Sequence, residues 1–455
     1  MYSKGSIPGF ALQTTIIMRK RLHYLIIILM ITSNWVQAQS LKWVKIESAK
    51  TTDSDIQSQF QEMLQDKSYS LGSENLPSPR FGASSWQTGN NEWIIFSGIG
   101  YDPEGRWGLL DDMWKYNTSD NSWILLSGQR KVDTQKWTEQ TESPIPRRNA
   151  ISWSDNQENL YLMGGTRLND TEYFYDLWKY TVKDGIWTRI SAKTTANLNA
   201  VWGIQKGGSG DGLNPGSRAG SASWTDKSGN LWLFGGYNMD NNQGHQDLYN
   251  DLWMFSVKKQ IWTWVSGSDQ PNEQGKFGKK GSQSSELAPA ARANAAAWYD
   301  NIANKLWLYG GNGIDTTGSD RGGLADLWSY NIGKNVWQWV GGSVGLYANN
   351  GSSQAYPGYR WSAATWKDKE GNFMLYGGQN KISVTEIDIN PTVWKFNPVT
   401  EKWSRLLIDG APGIMSDAEA FTDALGNLLL FGGRKLNSQT MKGSPTNEIW
   451  KIKTN

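Results

Sequence analysis

The chain has 455 residues with 49 Gly and 27 Trp, a composition that suits many short strands joined by polar turns rather than a helical protein. Its 45 Lys and Arg stand against 43 Asp and Glu, too even a balance for a protein built to hold nucleic acid. With no cysteine, disulfides, thiolate metal sites, a catalytic Cys and a lipidated Cys are all excluded.

The amino-terminal stretch carries a basic start (Arg19, Lys20, Arg21), an apolar run from Leu25 to Ile31, and Ala38 with Val36 two positions before it. This pattern predicts a secretory signal peptide over residues 1–38, cut after Ala38, with Met18 as an alternative natural start. The apolar run is too short to span a bilayer, so no integral membrane segment is expected after cleavage. Removal takes away Lys4, Arg19, Lys20 and Arg21 and no acid, which turns the formal charge from +2 to −2. His23 goes too, leaving His245 as the one histidine. An exported chain without disulfides must be held by its core, and about 415 residues suffice for one.

Next comes "LKWVKIES" around Trp43, which reads as the fourth segment of a repeat that has no preceding segments. Residues 47–79 read as an insertion. Within it "SDIQSQFQEMLQ" predicts a short helix with Ile56, Phe60, Met63 and Leu64 on one face.

Six units follow. Each opens with an Arg, places an aromatic six residues later, runs through an apolar stretch to Gly-Gly, and ends on two Trp nine positions apart. The openings are Arg80, Arg147, Arg218, Arg292, Arg360 and a degenerate Met415. Their glycines are Gly98 (after Ser97), Gly165, Gly236, Gly311, Gly378 and Gly433. The Trp pairs are 114/123, 178/187, 253/262, 328/337 and 394/403, and the sixth unit reaches only Trp450. Each unit contains four apolar segments broken by turn chemistry such as "DKSGN" and "NTSDNS". Four-stranded units repeated radially predict an all-β, six-bladed β-propeller over residues 39–455, a single domain. The strand near Trp43 is expected to complete the carboxy-terminal blade and so close the ring, which hides the sheet edges.

The simplest hairpin register sets Trp253 directly opposite Trp262, an aromatic pair that packs the blade. First-strand aromatics such as Trp86 and Trp153 add a second layer. Most of the tryptophans are thereby assigned to core.

On these residues the units resemble the Kelch repeat: an Arg-led strand, an apolar strand ending in Gly-Gly, a strand beginning Asp-Leu-Trp, and a closing Trp. The chain looks like the bacterial secreted "galactose oxidase central-domain-like" propellers, with 55 to 75 residues between successive Gly-Gly pairs here. The copper radical chemistry of that family depends on two His ligands and a Tyr cross-linked to Cys. A chain with no Cys and one mature His cannot assemble it, so that activity is excluded and no cofactor or metal is expected. The resemblance fixes fold more than function, since propellers carry many activities.

Links between the first and second strands, and between the third and fourth, are short. Those after Gly-Gly and between units are long and share the opposite face, the expected functional face. Three inter-unit loops carry an aromatic near glycines: Trp202, Phe277 and Tyr347, with Trp137 a divergent fourth. They read either as exposed stacking platforms or as loop packing. The series Arg80, Arg147, Arg218, Arg292 and Arg360 reads either as an anion-binding ring at the channel mouth or as pins that hydrogen-bond the neighbouring blade. Asp240, His245 and Asp247 in one loop have no spacing of known metal geometry.

The expectation is a secreted, non-catalytic, monomeric propeller that binds a protein or a glycan through its loop-rich face. The alternative is a carbohydrate-active propeller, since six-bladed Kelch propellers also include sialic acid mutarotases or epimerases. Glu104, Arg106, Glu172, Arg321 and Glu386 are the candidates by location for that chemistry. A polar pocket at the mouth with a buried carboxylate would favour the enzyme, and a broad aromatic surface would favour binding.

Overall fold

The computed structural model describes residues 41–46 and 76–454, except 90, 133–140, 156, 158, 192–195, 205, 240–245, 315, 319, 348–354, 380–391 and 437–442. The signal segment, Trp137, His245, Glu386 and the helix expected within residues 47–79 lie outside them. Among the described residues every helix or strand assigned is a strand.

Six antiparallel sheets follow the six units. Sheet 1 is Ser84–Thr88, Glu92–Phe96, Met113–Asn117 and Ser122–Ser127. Sheet 2 is Ile151–Ser154, Asn159–Met163, Leu177–Thr181 and Ile186–Arg189. Sheet 3 is Ala222–Thr225, Leu231–Phe234, Leu252–Ser256 and Ile261–Ser266. Sheet 4 is Ala296–Asp300, Lys305–Tyr309, Ala325–Asn331 and Val336–Ser343, with Gln283–Ser284 added at its edge. Sheet 5 is Ala364–Lys367, Phe373–Tyr376, Val393–Asn397 and Lys402–Leu406. Sheet 6 is Glu419–Thr422, Leu428–Phe431 and Ile449–Thr454, completed by Leu41–Ile46, which pairs with Ile449–Thr454 so that Trp43 faces Ile452.

The second strand of each sheet is apolar on both faces, as a strand covered on both sides must be. First-strand tryptophans reach across to the next sheet. Trp86 Nε1 donates to the Tyr161 carbonyl (3.0 Å), Trp153 to Trp232 (2.8 Å) and Trp224 to Trp307 (3.2 Å). In unit six the position is Phe421, and its ring stacks on Trp93 of sheet 1 at 4.0 Å between centroids.

The Trp pair sits in a different register from the one expected. Trp253 faces Trp264, and Trp262 faces Phe255, because the hairpin closes on the Ser256/Ile261 pair with four residues in its turn, and the ladder shift lies beyond this stretch, at Leu252/Trp253. Trp253 and Trp262 are therefore diagonal neighbours, edge to face at 6.4 Å. The same near-perpendicular contact recurs at Trp114/Trp123 and Trp328/Trp337.

Each Gly-Gly is a junction between units. The second glycine's N–H donates to the carbonyl of the residue that opens the next unit: Gly98 to Arg147, Gly165 to Arg218, Gly236 to Arg292, Gly311 to Arg360, Gly378 to Met415 and Gly433 to Arg80. The first glycine has φ near +65°, and a Cβ on Gly235 would meet the Arg292 carbonyl at 2.5 Å and that of Tyr249 at 2.8 Å. Gly229 has a similar φ of +77° but open space around it. We expect Gly229→Ala to cost about 1 kcal/mol, the left-handed penalty alone, and Gly235→Ala about 2–3 kcal/mol because backbone must also move. Urea unfolding of the two variants checks this, and equal losses would remove the junction argument. In unit one Ser97 takes the first glycine's place, and its hydroxyl donates to the Arg147 carbonyl (2.9 Å).

Candidate functional site

The opening arginines are turned inward. Arg80, Arg147, Arg218 and Arg292 are buried and form paired hydrogen bonds with Asp112, Asp176, Asp251 and Asp326, at 2.5–2.9 Å. Each Asp also accepts the indole N–H of the Trp two residues on, at 2.7 Å. The guanidinium further donates to the first junction residue's carbonyl, Ser97, Gly164, Gly235 or Gly310. Against burial, which pushes the other way, Arg80 holds the Asp112 carboxyl below its ordinary range. Arg360 donates to the Gly377 and Pro357 carbonyls, with Thr392 where the Asp would stand. These side-chain contacts fall within each arginine's own unit or the link just before it, so they clamp that unit from inside, and the bond to the neighbouring unit is made by the arginine's backbone carbonyl instead.

The aromatic loops are also occupied. Trp202 is half-buried against the core of sheets 2 and 3. Phe277 packs on Trp328 and Trp339 at 5.0 and 5.4 Å. Tyr347 is 44% exposed, but its hydroxyl donates to the Arg321 carbonyl (3.2 Å) and its ring meets Tyr359 edge-on. It braces the strand that carries Arg321. Of the other location-based candidates, Arg106 pairs with Asp102 and Glu104, and Glu172 with Arg167.

Two residues after each opening residue the backbone turns left-handed, at Gly82, Asn149, Gly220, Asn294, Ser362 and Asp417 (φ 54–64°). Asn, Asp and Gly tolerate that region best. Here the N–H of Asn149 donates to Gly82, Gly220 to Asn149, Asn294 to Gly220, Ser362 to Asn294 and Asp417 to Ser362. The six residues thus form one linked floor.

Above the floor lies a pocket of about 170 Å³. Asn149, Asn294, Ser362 and Asp417 line it from the floor, and Phe81, Arg148 and Trp361 from the positions just before. Tyr237, Gln246, Asn312, Arg321, Gln379 and Arg434 enter from the segments after Gly-Gly. Three arginines and one carboxylate therefore face a small space. Arg148 pairs with Asp170 at 2.6 Å. Arg321 donates to two neutral oxygens, the Gln246 carbonyl and Asn272 Oδ1, and burial lowers its pKa. The Arg434 guanidinium lies over the Phe81 ring, 5.1 Å from its centroid. Asp417 accepts from the Ser416 hydroxyl (2.9 Å).

Two residues beyond Asp417 stands Glu419, where the other first strands place Ser84, Ile151, Ala222, Ala296 and Ala364. Ser85 donates its hydroxyl to Glu419, yet burial pushes that carboxyl up to about 7, with Asp417 adding in the same direction.

Sequence reasoning reached Arg321 but missed Arg148, Arg434, Asn149, Asn294 and Asp417. The signal was present: in "RRN", "RAN", "RWS" and "MSD" the two slots after the opening residue vary while the surrounding frame repeats.

The fold and site together describe an all-β protein of four-stranded antiparallel sheets, an arrangement that fits a β-propeller, with a polar, arginine-rich pocket among its loops. No family model matches the chain. It is similar to a solved structure titled "Structure of YjhT", at 16% identity and a TM-score of 0.51, over 82% of this chain and 95% of that one, a likeness that bears on fold alone. Among the described residues no helix is long and apolar enough to cross a membrane.

Proposed function

We propose that this chain is an exported, monomeric, six-bladed Kelch-type propeller that binds an acidic sugar of the sialic acid class in its arginine-lined pocket. The observation that carries the ligand class is the convergence of Arg148, Arg321 and Arg434 on a space that a single lining carboxylate, Asp417, shares. Guanidinium groups bind carboxylates through paired charge-assisted hydrogen bonds, and the amides around them suit hydroxyl and acetamido groups. A pocket of this size takes one sugar ring rather than a protein surface.

Ring closure rests on the cyclic order of the junction bonds, with Gly433 returning to Arg80, and on Glu419–Thr422 lying beside Ser84–Thr88. Export rests on the basic and apolar pattern of residues 1–38.

A second reading is the sugar acid mutarotase. Opening the sugar ring requires taking a proton from the anomeric hydroxyl and giving one to the ring oxygen. Asp417 faces the pocket, and Glu419 behind it has a pKa suited to proton exchange near neutrality.

Calorimetry with N-acetylneuraminic acid tests the binding. We expect the wild-type chain to bind it, to ignore the neutral N-acetylmannosamine, and to lose roughly tenfold to hundredfold in affinity in Arg321→Ala, the value of a charge-assisted hydrogen bond. Equal binding of acid and neutral sugars would sink the ligand class. NMR anomer exchange separates the readings: faster exchange with protein that Asp417→Asn abolishes identifies the enzyme, and an unchanged rate identifies the binder.

A further inference from the structure

Trp107 is 41% exposed, a large apolar ring left open on the loop-rich face. It lies in the strand Trp107–Leu109, which pairs with Ile99–Tyr101, itself paired with Arg80–Phe81. Its ring packs on Tyr101 at 4.8 Å and on Phe81 at 6.1 Å. Phe81 in turn lines the arginine pocket and carries the Arg434 guanidinium on its ring. The three aromatics therefore run without a break from the pocket wall to the open surface.

The hairpin that presents Trp107 is rigid by construction. Asp102, fully buried in the turn, accepts from the backbone N–H of Glu104 and Arg106 through Oδ1 and from Arg106 Nε and the Val132 N–H through Oδ2. An exposed tryptophan on a fixed hairpin loses little freedom when a flat, partly apolar ligand covers it. The apolar face of a neutral pyranose is such a surface, and it carries no charge to compete for the arginines.

We infer that Trp107, backed by Tyr101 and Phe81, is a stacking subsite for a neutral sugar ring joined to the acidic sugar in the pocket. The ligand is then a glycan with an acidic end rather than a free sugar acid. The inference rests on the pocket reading, and it supplies an exposed ring on a fixed hairpin, where Trp202 and Phe277 are packed away and the Tyr347 hydroxyl is committed to the Arg321 carbonyl.

The test compares N-acetylneuraminic acid with 3′-sialyllactose by calorimetry on the full chain. The wild type is expected to bind the trisaccharide about tenfold more tightly than the free acid. Trp107→Ala should remove that advantage and leave the free acid unchanged, while Trp107→Phe retains most of it. Equal affinity of the wild type for the two sugars, or an equal loss for both in Trp107→Ala, overturns the platform and leaves the pocket reading standing. Binding of neither sugar overturns the pocket reading itself.

Discussion

Asp251→Ala is expected to destabilise the chain by about 3–5 kcal/mol, the cost of leaving one partner of a buried ion pair without the other. Arg218 has no exposed surface, and its two terminal nitrogens meet the Asp251 carboxylate at 2.7 and 2.9 Å. The Trp253 indole N–H would lose its acceptor in the same change. Replacing both charges, as Arg218→Met with Asp251→Leu, should cost less than Asp251→Ala alone, because no uncompensated charge then remains in the core. Unit six carries half of that change, with the arginine replaced and the acid kept. In unit six Met415 fills the arginine's place in the core, and Glu448 in the aspartate's place turns to Lys45 and Lys435 at the edge while keeping the Trp450 indole bond. Urea unfolding of the three variants decides the matter. A double variant less stable than Asp251→Ala would mean that the pair contributes net stability rather than matched desolvation.

What repeats in this chain was legible, and what varies was not. Arg, Gly-Gly, Asp-x-Trp and the closing Trp recur because the same clamp and junction are built in successive units, so spacing alone located the sheets and the strand at Trp43. The cross-strand register escaped because a nine-residue interval does not say where the hairpin turns, and closure on Ser256/Ile261 sets Trp262 against Phe255 rather than Trp253. The pocket escaped for a more general reason. Repetition points to structural positions, so attention to the repeated arginines and loop aromatics selected the residues already committed to holding the fold. The pocket-lining groups Arg148, Asn149, Asn294 and Asp417 sit in slots that the clamp leaves free to differ, and they come together only because the floor links units far apart in sequence. Trp107 escaped likewise, since it belongs to none of the repeated tryptophan registers.

Glu419 gives the chain a stability that falls as pH rises, the reverse of the usual carboxylate behaviour. Its folded pKa is pushed up to about 7 from an ordinary value of 4.5, so the folded protein holds this proton more tightly than the unfolded chain does. The stabilisation is therefore fully present below about pH 4.5 and is lost as pH rises through about 7. That window corresponds to roughly 3 kcal/mol at 1.36 kcal/mol per pKa unit. Glu419→Gln keeps an acceptor for the Ser85 hydroxyl and removes the ionisation. The variant should match the wild type near pH 4.5 and exceed it by about that amount at pH 8.5, measured as the difference between the two urea unfolding free energies at each pH. Taking the difference cancels the carboxylates and lysines the two proteins share. A gap that stays constant across this range would show that folding leaves the Glu419 pKa at its ordinary value. A gap that opens with pH would instead place this alkali-sensitive ionisation at the contact between sheets 6 and 1, where Ser85 meets Glu419 and Phe421 meets Trp93.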